Sequence, residues 1–152
     1  MQTKSVWHQV GELLFLLIIV NMVGFIGSLY MTSDTLLWYH QLSVSSLTPP
    51  DWVFTTVWTV LFFLMALSMF LVWGRASPKW FAIQLGLNML WSFSFFYLRS
   101  PLLAEFILLG LIFALAMNIR SFWKVSHWAG LLLVPTFLWA LFALYLNTFI
   151  LI

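Results

Sequence analysis

The chain has 152 residues, of which 64% are hydrophobic and only 7% charged, with six Lys or Arg against four Asp or Glu and no cysteine. A soluble domain carries about 25% charged residues, so this chain cannot cover itself with a polar surface, and its solvent is a bilayer. No basic cluster exists that could neutralise several phosphates, which argues against a nucleic-acid partner, and the missing thiols exclude disulfides, thiolate nucleophiles and cysteine metal sites.

A helical span needs roughly 20 predominantly apolar residues. The first expected one covers about 10–30. One lysine precedes it and no small-residue cleavage site stands at the right distance along the apolar run, so it reads as a retained span rather than a signal peptide. Residues 31–50 are polar and serine-rich, and are expected to form a long loop ending at Pro49 and Pro50. The second span, about 51–73, starts cleanly there. Proline at a helix start gives up an N–H that would be unsatisfied anyway, and Asp51 suits the positive end of the helix dipole. The segment "GRASPK" leads to a third span at about 79–98, "RSP" to a fourth at about 102–122, and "WKVSH" to a fifth at about 128–150. Unbroken apolar runs lack the alternation of a membrane barrel, and backbone groups in hydrocarbon must be paired within the segment. The expected fold class is therefore an all-α integral membrane protein, a five-transmembrane-helix bundle forming a single domain over 1–152 with no soluble appendage.

Lys4, Arg75, Lys79, Arg120 and Lys124 fall on the N-terminal side of such a bundle and only Arg99 on the other. The positive-inside rule then places the N-terminus in the cytoplasm and the long loop outside. Trp7, Trp38, Trp73, Trp80, Trp123 and Trp128 lie near span ends, where an interfacial aromatic belt is expected.

Trp58, Trp91 and Trp139 lie inside their spans instead. Gln84, Asn88 and Trp91 share one helical face, as do Thr136, Trp139, Ala143 and Asn147, while Thr55, Thr59 and Phe62 run beside Trp58. Each amide alone either bonds neighbouring helices together or orients a ligand. Three polar-aromatic stripes in one small bundle favour a lined cavity. His8, His40 and His127 lie in or next to separate polar segments, so no protein-built metal site is expected. Glu12 and Glu105 are the only intramembrane acids, placed to bond across helices or relay a proton. No nucleophile–base–acid set, phosphate loop or broken transporter helix is present, so no catalytic residue is assigned. Ala82 and Gly86 make a small-residue patch at which a second copy could approach.

The blocks "WYHQL", "PPDWVFTTVWTVLFFLM", "QLGLNMLWSFSFF" and "WAGLLLVPTFLWALFALYLN", in that order across about 38–148, resemble the tryptophan-rich sensory protein/translocator protein family, TspO/MBR. The resemblance implies a homodimeric protein of the bacterial inner membrane that binds porphyrins such as protoporphyrin IX, and other flat hydrophobic small molecules, beneath its first loop. Porphyrin is then the ligand, with no obligatory cofactor and no metal. Carried onto matching positions, the lining would include Trp38, Trp52, Trp58, Asn88, Trp91, Trp139, Ala143 and Asn147. The implied role is a tetrapyrrole or stress sensor or regulator; the alternatives are a carrier of tetrapyrroles or other amphipaths, and light-dependent porphyrin breakdown.

The chain departs from the family pattern at Ser45, Thr55 and Phe93, where prolines are usual, at Leu47, where tryptophan is common, and at Thr136 in place of tyrosine. No cation follows Tyr145, so the sterol pattern of animal members is absent. These substitutions bear on ligand identity and loop rigidity rather than on the fold.

Overall fold

The computed structural model describes residues 5–152, leaving Lys4 of the charge pattern outside the described residues. Among the described residues the regular elements are all helical, running α1 (Val6–Ser28), α2 (Ser33–Tyr39), α3 (Asp51–Leu71), α4 (Lys79–Ser92), a π-helical segment (Phe93–Tyr97), α5 (Pro101–Trp123) and α6 (His127–Leu151). α1, α3, α5 and α6 are each long and apolar enough to cross a membrane.

Helix starts follow local chemistry. Ser5, Ser100 and Ser126 cap α1, α5 and α6, each accepting from a backbone N–H in the first turn, and Pro101 occupies the first turn of α5. Pro50 stands just before α3 and Asp51 opens it.

Two sequence expectations need correction. The segment 31–50 is not loop throughout. Thr32 accepts from the Thr35 backbone N–H at 3.2 Å, and α2 forms behind this cap with Asp34 in its first turn. The expected third span, 79–98, is not one uniform α-helix. After Ser92 the Leu98 N–H donates to the Phe93 carbonyl at 3.0 Å, five residues back, which widens the turn. Arg99, with φ of 51°, then ends the run. Among the described residues the bundle therefore has six α-helices plus a π segment, not five plain helices.

Neighbouring helices close a ring in the order α1–α3–α6–α5–α4 and back to α1. Lipid is as apolar as leucine, so close packing and interhelical hydrogen bonds hold such a ring together. Ser92 donates to the Gly27 carbonyl at 3.0 Å, joining α4 to α1, and Ser68 donates to the Ala129 carbonyl at 2.7 Å, joining α3 to α6. Val20, Met65, Val72, Phe122 and Leu133 fill the end opposite α2, all fully buried. Leu108, Leu111 and Leu115 of α5 pack with Trp91 and Ala140. What is left unfilled lies at the α2 end.

Candidate functional site

A cavity of about 330 Å³ occupies the half of the ring nearest α2. α3 contributes Phe54, Thr55, Trp58, Thr59 and Phe62 to its wall, and α4 with the π segment contributes Asn88, Trp91, Ser92, Phe95 and Phe96. Ala143, Leu146, Asn147 and Ile150 come from the last turns of α6, and Leu36 and Tyr39 of α2 form the roof. No residue of α5 is in the lining. The wider π turn keeps Phe95 and Phe96 on the inward face begun by Asn88 and Trp91.

The aromatic wall is one connected surface. Trp58 and Trp91 lie 5.8 Å apart between ring centroids, and Trp91 lies 6.2 Å from both Phe95 and Phe96. Three polar atoms of lining residues are buried without a protein partner among the described residues: Asn88 Nδ2, Trp91 Nε1 and Asn147 Oδ1. A buried polar group left unpaired costs about 1–3 kcal/mol.

Asn147 is also structural. Its Nδ2 donates to the Pro101 carbonyl at 2.9 Å and to Glu105 Oε2, while Thr148 donates to Glu105 Oε1. Both amide hydrogens are thereby used, which fixes the orientation of Asn147 and ties α6 to α5. Asn147→Leu should lower stability in detergent by about 1–3 kcal/mol, because it removes these bonds and leaves Glu105 with only Thr148. An unchanged unfolding midpoint would show that the bridge contributes nothing.

Of the eight sequence-derived positions, Trp58, Asn88, Trp91, Ala143 and Asn147 meet at this cavity. Trp38, Trp52 and Trp139 do not line it. Trp38 packs on Phe95 at 5.7 Å with the Arg99 guanidinium over its ring, so it buttresses the wall from behind. Trp52 is 69% exposed and faces outward. Trp139 packs edge-on against Phe54 at 5.8 Å and also stands behind the wall. Gln84 and Thr136, the far members of the two stripes, are fully buried below the cavity. Gln84 Nε2 there approaches the Met65 sulfur at 3.3 Å.

The sequence reasoning missed the α1 wall, where Asn21, Gly24 and Ser28 line the cavity at i, i+3, i+7 spacing. The same face test that found the α4 stripe would have found this one. It also missed Tyr39 and Asp51 at the loop end. Burial raises the Tyr39 pKa, and the Asp51 carboxylate adds to the effect, so the phenol stays protonated. The roof is held at several points: His40 Nε2 lies 3.1 Å from Asp51 Oδ2, Arg99 pairs with Asp34, and Ser45 Oγ lies 3.0 Å from the Tyr145 hydroxyl. At Ser45, where the family pattern has proline, the hydroxyl makes a contact proline cannot make. Leu47 is 63% exposed and is not part of the lining.

The profile of the TspO/MBR family matches residues 15–152. The chain belongs to the TspO/MBR family. The Tryptophan-rich protein TspO of Chlorobaculum tepidum is 42% identical over 135 residues, covering 82% of this chain and 84% of that protein. The protein of the same name from Archaeoglobus fulgidus is 36% identical over 132 residues, covering 82% and 85%. The human Translocator protein is 33% identical over 132 residues, covering 81% and 78%. This TspO/MBR chain is thus an integral membrane protein, and each of its four motif blocks contributes to the lining of the cavity.

Proposed function

We propose that this TspO/MBR protein binds flat hydrophobic ligands of the porphyrin kind in the cavity beneath α2, as a sensor or regulator of tetrapyrrole or stress state rather than as an enzyme. The observation that carries this is the continuous Trp58–Trp91–Phe95 wall bearing unpaired polar atoms of Asn88, Trp91 and Asn147. Extended π-systems are held by offset or edge contacts with aromatic rings, and the amides and indole supply partners for ring nitrogens or substituents. In this reading 1–152 is one domain of a homodimer in a bacterial inner membrane, with porphyrin as ligand and no obligatory cofactor. α4 and the π segment together make the remaining span, so that five spans cross the bilayer. Arg75, Lys79, Arg120 and Lys124 then lie with the N-terminus on the cytoplasmic side.

Titrating the purified protein with protoporphyrin IX tests this through quenching of tryptophan fluorescence. Saturable quenching near one ligand per chain is expected, and quenching no stronger than in empty detergent micelles would end the proposal. Haem should bind no more tightly than the metal-free ring. No histidine or cysteine lines the cavity, His40 is engaged by Asp51, and protonated Tyr39 is a poor axial ligand. A low-spin haem spectrum abolished by His40→Ala would overturn that expectation.

A further inference from the structure

The polar side-chain atoms in the lining come from amides, hydroxyls and two indoles, with one exception. Among the described residues Asp51 is the single charged one in the lining, and no lysine, arginine or histidine lines the cavity. We infer that Asp51 sets the charge preference of the site: it favours flat ligands whose polar edge is neutral or cationic, and disfavours a carboxylate-bearing edge at the loop end. This rests on the ligand class proposed above and narrows it.

Geometry places the acid where a ligand must meet it. Asp51 opens α3 directly under the roof, beside Tyr39, in the wall that also holds Phe54 and Trp58. The first turn of a helix is a favourable place for negative charge. His40 approaches Asp51 Oδ2 alone, and the His40 and Asp51 side chains are 57% and 44% exposed. Arg99 is committed to Asp34 and to the face of Trp38, neither of which lines the cavity. A ligand carboxylate at this end would meet a like charge with no cation facing it from the wall. A ligand amine, N–H or hydroxyl would meet an acceptor. The Asp51 side chain is 44% exposed, so such contacts are partly screened by water and salt.

The experiment compares one ring with three edges: protoporphyrin IX as its diacid, as its dimethyl ester, and as a diamide carrying two primary amines. Each is titrated by tryptophan quenching in the same uncharged detergent against wild type, Asp51→Asn and Asp51→Glu. Wild type should bind the diamide about tenfold more tightly than Asp51→Asn does, relative to the diacid in each protein, the effect of one altered charge contact. Asp51→Glu should keep the wild-type ratio, and raised salt should narrow it. The ester controls for hydrophobic partition, since its affinity should hardly change in Asp51→Asn. A diamide-to-diacid ratio that stays within twofold between wild type and Asp51→Asn, with all rings bound, overturns the role of Asp51 and leaves the ligand class standing. If none of the three rings quenches above micelle background, both this inference and the reading beneath it fall.

Discussion

Trp91→Ala is expected to weaken porphyrin binding by about 1–3 kcal/mol, roughly 5- to 150-fold in Kd. Trp91 is 9% exposed and stands at the centre of the wall, in ring contact with Trp58, Phe95 and Phe96. Truncation removes the ring face a ligand would stack on and also the support that orients its neighbours. The same change should lower stability by about 3–5 kcal/mol, the range for removing a large buried aromatic side chain, so binding must be read at a temperature where the variant is folded. Two controls separate the local effect from a general one. Trp7→Ala removes an indole that is 85% exposed on the outside of α1 and should leave both quantities nearly unchanged. Trp139→Ala removes a ring that reaches the cavity only through Phe54, and should weaken binding less than Trp91→Ala does. Superimposable quenching titrations for wild type and Trp91→Ala, corrected for the lost fluorophore, would remove the cavity wall from consideration.

Gly24→Ala should destabilise the bundle by about 1–3 kcal/mol and reduce ligand binding with it. A Cβ at position 24 would stand 2.5 Å from Phe62 Cε2 and 2.6 Å from Cδ2. Phe62 is 6% exposed and lies 5.7 Å from Trp58, so its ring cannot swing aside without moving the wall. The alternative is for α1 to back away from α3, which opens the ring of helices at the cavity. Gly11, on the same helix, is the control. A Cβ there meets nothing within 4 Å, so Gly11→Ala should be neutral or should stabilise by about 0.5–1 kcal/mol through helix propensity. Thermal unfolding in one detergent decides the matter: equal midpoints for the two alanine variants would mean that the α1–α3 approach is looser than the structure shows.

These two residues also mark how far the sequence could be read. Trp91 was legible because an indole deep in an apolar run, three and seven residues from Asn88 and Gln84, breaks the composition around it and announces a face. Gly24 could be placed on the face of Asn21 and Ser28 by the same test, but its need to be glycine could not be read there. Only the position of Phe62 on another helix makes that residue type necessary. Trp139 illustrates the converse. It shares its stripe with Ala143 and Asn147, yet Phe54 comes between it and the cavity. A helical stripe says which way side chains point, but not how deep along the bundle the empty space extends.

Composition and run length alone determined that the chain is helical and membrane-embedded, because hydrocarbon forces every backbone group to pair within its own segment. The ordered tryptophan, asparagine and proline blocks sufficed to reveal the family. The tertiary structure decided the rest. Bulky residues such as Met65, Phe122 and Leu133 fill one end of the ring, and the aromatic-walled cavity lies at the other. It also turned Asn147 into both a lining residue and a bridge to Glu105, and folded part of the expected loop into the roof α2. Above all it brought Asp51 to the cavity wall, which in the sequence is simply the acid that opens a helix. Such outcomes depend on which helices become neighbours and at what depth, and those are set by side-chain packing between segments up to about a hundred residues apart, as Ser45 and Tyr145 are. No periodicity within a single segment encodes them.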